Sequence, residues 1–121
     1  MLTEEQLRLY ARQVIVDELG RSGQERLCAS VASIPEGADP RAARVAADYL
    51  QRAGLHVAAD GGQVPLPAAD IVRSCAGDPA LEECAAWLHG AWAAVEVVKA
   101  RVGVGTPAAL AHDWVLNAEG D

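Results

Sequence analysis

Residues 29 to 54, ASVASIPEGADPRAARVAADYLQRAG, hold the groups on which the chemistry of this chain would turn. The run reads as a short buried strand, a tight loop and a helix, the unit that opens a dinucleotide-binding α/β domain. In that unit, glycines let backbone N–H groups at the helix start close on a phosphate. Here the loop is Pro35-Glu36-Gly37-Ala38-Asp39-Pro40. Its prolines have no N–H to donate, and its two carboxylates repel an anion. Gly37 is its one glycine. The loop predicts the scaffold of a nucleotide site without the phosphate chemistry. Elsewhere, Cys28, Cys75 and Cys84 share no C-x-x-C spacing. They read as core thiols, Cys84 within a long apolar helix, and no metal site is expected. His56, His89 and His112 fall in separate elements with no nucleophile pattern, so no catalytic residue is assigned.

The elements around that loop follow from caps and apolar spacing. Asp39 caps a helix with Pro40 at its first position and Gly54 as its stop. Its apolar face is Ala42, Ala43, Ala46, Tyr49, Leu50 and Ala53. Val31 to Ile34 and His56 to Ala59 are strand candidates, the second ending at Asp60-Gly61-Gly62. Gln63 to Ala69 is a Pro-bearing loop. Asp70 to Cys75 is a third strand candidate and Leu110 to Asn117 a fourth. Near the start, Thr3 and Gln6 form a capping box, with Leu2 and Leu7 placed as a staple. Gly20 ends that helix or the turn after it, and Ser22 to Glu25 is a second capping box for a short helix to about Cys28. Asp78-Pro79 opens the longest helix, which runs to about Arg101 before Gly103. The expectation is an α/β fold: a small truncated Rossmann-like domain over 30–121, with a short, mainly parallel sheet of about four strands packed by helices. An N-terminal helical arm spans 1–29.

The totals exclude several functions. With 121 residues the chain makes one domain. A net charge of −7 argues against nucleic acid and anionic membrane as partners. No apolar run approaches the roughly 20 residues of a membrane helix. The acidic, amphipathic start is not a signal peptide, and the odd cysteine count fits a reduced, cytoplasmic protein. The long helix is unusual: from Cys84 to Val98 only His89 and Glu96 are polar. A helix apolar nearly all round must be covered on most sides. A partner interface is expected over Trp87, Ala91, Trp92 and Val95, with Tyr10 of the first helix beside them. The alternative is a central helix wrapped by the chain's own N-terminal helices.

The opening LTEEQLRLYARQVIVDELGRSGQERLCAS resembles the N-terminus of the ThiF/MoeB/HesA proteins, bacterial relatives of the ubiquitin-activating enzymes. Family members carry R-Y-x-R-Q, then a G-x-x-G-Q-x-x-L-x-x-S helix, then the nucleotide strand. Tyr10, Arg12, Gln13, Gly20, Gly23, Gln24, Leu27 and Ser30 fit that pattern, whereas Leu9 stands where the first arginine belongs. The stretch HGAWAAVEVVKARVGVGTPAALAHDWVLNA resembles the family's closing helix through Gly90, Ala93 or Ala94, Glu96, Lys99 and Gly103.

The resemblance implies Mg-ATP-dependent adenylation of the C-terminal glycine of a ubiquitin-like or sulfur-carrier protein. It also implies that much of that machinery is missing here. Aligned from the strand, the glycine loop G-x-G-G-x-G falls on Glu36 to Arg41, where only Gly37 is a glycine, and aligned back from Gly54 it falls on Ala38 to Ala43, with none. The ribose-binding acid corresponds to Asp60, although a turn aspartate before Gly61-Gly62 is its plainer reading. The D-x-T-D-N strand end corresponds to Ser74, Ala76 and Gly77, with Asp78 one step displaced and better explained as a helix cap. The segment carrying phosphate-binding Arg and Lys, the catalytic-cysteine loop and the zinc cysteines have no counterpart. Arg12 matches an arginine that reaches a partner's ATP phosphates, as an arginine finger does. A salt bridge to Glu5 or Asp17 is its plainer role. The expectation is a pseudoenzyme with no cofactor, a homodimer or a heterodimer with a full-length relative that assists activation of the carrier protein. Two alternatives stand beside it. One is an active minimal adenylyltransferase using ATP and magnesium, with Arg41 and Arg44 as its only cations. The other is a homodimeric scaffold.

Overall fold

A computed structural model describes residues 3–9, 20–103, 108 and 110–116, the side chains of 7–9 excepted. Helix α1, Glu4–Leu9, opens with the expected reciprocal cap. The Thr3 N–H donates to Gln6 Oε1 at 3.0 Å and the Gln6 N–H to Thr3 Oγ1 at 3.1 Å. Helix α2, Gly20–Cys28, starts at the glycine expected to terminate a helix. The helix is three residues longer at its start than Ser22 as its cap implied. It is fastened by side chains. Gln24 Nε2 donates to the Ala53 carbonyl at 2.8 Å, and Arg26 Nη1 to the Val102 carbonyl at 2.9 Å.

Strand β1, Val31–Ser33, lies at the centre of a three-stranded parallel sheet. Helix α3, Pro40–Ala53, leads from it to β2, His56–Val57. Both ends of α3 are as the sequence dictates. Asp39 caps it, and Gly54, at φ 109°, takes the left-handed conformation and returns its N–H to the Gln51 carbonyl. Strand β3, Gly62–Gln63, pairs on the other side of β1. It occupies the Gly-Gly turn and the head of the expected loop, where neither residue carries a strand-forming side chain. The chain reaches β3 by crossing β1 through Ala58–Gly61, with no helix between. A Cβ on Gly61 would lie 2.6 Å from the Val31 carbonyl carbon, so only glycine passes there.

Two expected strands are not strands. Ala69–Ala76 is helix α4. Ile71 and Val72 suggested a strand, but the buried set Val72, Cys75 and Ala76 repeats at helical spacing, and this face decides the outcome. Leu110–Leu116 forms no strand among the described residues. It is an irregular strap whose one backbone–backbone bond among the described residues runs from the Leu116 N–H to the Cys75 carbonyl, 2.7 Å. The sheet therefore has three strands where about four were expected.

A 3₁₀ turn, Pro79–Leu81, leads into helix α5, Glu82–Val102. It is the spine of the fold. Leu27, Leu50, Val64 and Ala94 form one buried cluster along it, and Ala42, Val72, Cys75 and Ala85 another. Small residues, Ala42, Ala46, Gly90, Ala93 and Ala94, are buried where α3 and α5 pack. A Cβ on Gly90 would meet the Ala42 carbonyl oxygen at 2.5 Å and Val45 Cβ at 2.8 Å.

Candidate functional site

In the β1–α3 loop, where the sequence suggested a phosphate-site scaffold, a carboxylate of the chain takes the donors at the helix start. Asp39 is 1% exposed. Its Oδ1 accepts the Arg41 N–H at 2.9 Å and the Ala42 N–H at 3.0 Å. These are the first free donors of α3, because Pro40 has none. The Asp39 N–H donates to the Pro67 carbonyl at 2.8 Å, joining this loop to the segment that leaves β3. The Arg41 guanidinium lies between Asp39 Oδ2, 3.2 Å, and Glu82 Oε2, 3.1 Å. Burial pushes the Asp39 carboxyl pKa up, but the Ala42 N–H and Arg41 outweigh it and hold the pKa below the usual value. A fixed carboxylate thus neutralises the positive end of α3. Arg41, one of the two cations an active enzyme would need, is held by carboxylates, and Arg44 is exposed.

The remaining nucleotide-site candidates do not converge on this loop. Gly37 is exposed in it. Asp60 sits in the turn that crosses β1, and Asp78 caps the 3₁₀ turn by accepting the Ala80 N–H at 2.8 Å. No hydrogen bond or ion pair links these three among the described residues. Ser74, Ala76 and Gly77 lie at the end of a helix and not at a strand end. Tyr10 and Arg12 lie outside the described residues.

The chain matches no protein-family model, no curated protein and no solved structure. The side chains themselves must therefore carry the functional reading.

A second cluster was not legible in the sequence. The strap folds back over α4 and α5 and brings together histidines that looked unrelated. The His89 ring stacks on Trp114 with centroids 4.9 Å apart and meets the edge of His112 at 5.4 Å. His89 Nε2 lies 3.5 Å from Cys75 Sγ. Beside them is a largely apolar cavity of about 230 Å³, lined by Leu66, Trp92, Ala93, Glu96 and the two histidines. Burial, then the neighbouring His112, pushes the His89 pKa down, against a smaller upward pull from Asp39. Burial, then Asp113, pushes the Cys75 thiol up. A nucleophilic Cys–His pair needs a thiolate beside an imidazolium, which requires the opposite shifts. Here burial favours the neutral thiol and the neutral imidazole.

Glu96 and Lys99, which carry part of the resemblance, also have structural work. Glu96 Oε2 accepts the Ala108 N–H at 2.8 Å, and Lys99 Nζ donates to Glu96 Oε1 at 3.1 Å. The Ala108 bond, aided by Lys99 and opposed by burial, lowers the Glu96 pKa.

The interface candidates of α5 face outward. Trp87 is 47%, Trp92 43% and Val95 53% exposed, while Ala91 is half-buried between them. Tyr49 of α3 is also exposed and packs edge-on against Trp87, with centroids 6.4 Å apart. Cys84 is exposed on the same face, contrary to its reading as a core thiol, and Cys28 is half-buried. Cys75 alone of the three is in the core.

Proposed function

We propose that this chain is a non-catalytic association subunit: a shortened, degenerate ThiF/MoeB/HesA-like domain of Rossmann type that binds protein and not nucleotide. One observation carries the reading. Asp39 occupies the Arg41 and Ala42 N–H groups that a phosphate would need, and its own N–H is bonded to the Pro67 carbonyl. The exposed tryptophans of α5 supply an association surface, since large aromatics left in water mark interfaces more than cores. In this reading the chain assists an enzyme that adenylates a ubiquitin-like or sulfur-carrier protein, and needs neither ATP nor magnesium itself. Arg12 is the residue through which it would serve a full-length partner's ATP site.

The active minimal adenylyltransferase is disfavoured by the fixed carboxylate and by the engagement of Arg41 with two acids. The homodimeric scaffold has a specific observation in its favour, the outward stripe of α5. Calorimetric titration with Mg-ATP, together with ATP–pyrophosphate exchange in the presence of a sulfur-carrier protein, tests the proposal. No heat and no exchange are expected. Saturable micromolar binding with exchange would establish the minimal enzyme instead.

A further inference from the structure

The cavity beside the histidine cluster has the position, the size and the chemistry of a ligand site. In an open parallel sheet, ligands bind beyond the carboxyl ends of the strands, where neighbouring strands are reached in opposite directions from the first. Here that place is between β1 and β3, because β2 lies on one side of β1 and β3 on the other. Pro65 and Leu66, just past the carboxyl end of β3, form one wall of the cavity. Helix α5 forms another through His89, Trp92 and Ala93, and the strap adds Leu110 and His112. His89 and Ala93 are buried, whereas Pro65, Trp92 and His112 are exposed, so the cavity is reached from solvent. An apolar cavity of about 150 Å³ accommodates benzene. At about 230 Å³, this one has room for a substituted benzene ring.

The polar groups of the walls sort a ligand by charge. Both Glu96 oxygens are engaged, one by the Ala108 N–H at 2.8 Å and the other by Lys99 at 3.1 Å. An ammonium ligand would have to displace Lys99, and an anion would lie beside the Glu96 carboxylate. The Trp92 N–H is taken by the Ala108 carbonyl at 2.9 Å. The two imidazoles remain. Of their ring nitrogens, only His89 Nε2 has a partner among the described residues, Cys75 Sγ at 3.5 Å. Burial keeps His89 neutral, and a neutral imidazole carries an acceptor nitrogen that a ligand hydroxyl can use. The indole and imidazole rings in the walls favour a flat aromatic partner.

We propose that this cavity is a binding site for a small neutral phenol. Its ring lies among Leu66, Trp92, Ala93 and Leu110, and its hydroxyl donates to the His89–His112 pair.

The test titrates the full, ¹⁵N-labelled chain at neutral pH with p-cresol. Toluene serves as the matched probe without a hydroxyl, and p-toluate as the matched anion. Saturable shifts of the Trp92 indole N–H and of the His89 and His112 ring signals are expected, with a Kd on the order of 0.1–1 mM. Toluene should bind roughly tenfold more weakly for want of one hydrogen bond, and p-toluate should not bind measurably. Replacing both imidazoles, His89→Phe with His112→Ala, should erase the preference for p-cresol over toluene. Leu110→Trp, which fills the cavity from the strap and leaves the imidazoles in place, should abolish binding of both. The absence of saturable shifts with p-cresol up to about 10 mM overturns the proposal. Equal affinity for p-cresol and toluene in the wild-type chain, or for p-cresol and p-toluate, overturns it too. So does p-cresol binding that Leu110→Trp leaves unchanged.

Discussion

Replacing Asp39 separates the two things its carboxylate does. Asp39→Ala removes the acceptor for the Arg41 and Ala42 N–H groups, at 2.9 and 3.0 Å, and one partner of the Arg41 guanidinium. Ordinary N-cap losses are about 1 kcal/mol and reach about 2 when the freed donor is buried, as the Ala42 N–H is. The ion pair adds no more than about 0.5 kcal/mol, since Arg41 is partly exposed and keeps Glu82. The expected cost is therefore about 2 kcal/mol, a fall in Tm of roughly 6–10 °C for a chain of this size. Asp39→Asn keeps an acceptor and should cost under about 1 kcal/mol. The sign of the pH effect follows from the lowered pKa. Asp39 binds its proton less readily folded than unfolded. Its stabilisation is thus complete above its ordinary value of 3.8 and is lost as pH falls through the lower folded value. Urea unfolding of wild type, Asp39→Ala and Asp39→Asn at neutral pH and below pH 4 reads all of this. Equal stability of Asp39→Ala and wild type would refute the capping argument. So would an Asp39→Asn loss as large as that of Asp39→Ala.

Further expectations concern packing and the buried histidine. Gly61→Ala should cost about 2–3 kcal/mol in urea unfolding, because its Cβ meets the Val31 backbone at 2.6 Å and neither segment can yield. Gly90→Ala gains about 1 kcal/mol of helix propensity yet should still lose about 1–2 kcal/mol net through the 2.5 Å approach to the Ala42 oxygen. Ala91→Gly, one residue along and free of that clash, should lose only the propensity, about 1 kcal/mol. His89 is held neutral by burial and by His112, so the unfolded chain binds the proton more readily. Stability should be complete above the ordinary value of 6.5 and decline as pH falls from there towards the lower folded pKa. His89→Phe should flatten that decline in a pH series of thermal melts.

The parts of the fold that local chemistry specifies were legible. Asp39-Pro40 and Gly54 bracket α3, Thr3 and Gln6 cap α1, and Val31 begins β1, because each signal sits within a few residues of the structure it causes. Tertiary placement was not legible. Gly62 and Gln63 have no strand preference and pair only because Gly61 lets the chain cross β1. Ile71 and Val72 carry a β-branched signal that packing against α5 overrides. The Cys75–His89–His112–Trp114 cluster joins positions up to 39 residues apart and depends on a strap whose course has no periodicity to betray it. At the candidate site, sequence indicated that phosphate chemistry was missing. The Asp39 cap, which already claims the Arg41 and Ala42 donors, was legible, and the bond from the Asp39 N–H to the Pro67 carbonyl was not.

The most direct test follows the Arg41 and Ala42 backbone amides by ¹⁵N-labelled NMR while Mg-ATP, and separately inorganic phosphate, is added. If Asp39 holds both donors, the two amides will not shift up to millimolar ligand. Saturable shifts centred on these amides would mean that phosphate displaces the carboxylate and that the crevice is an open nucleotide site.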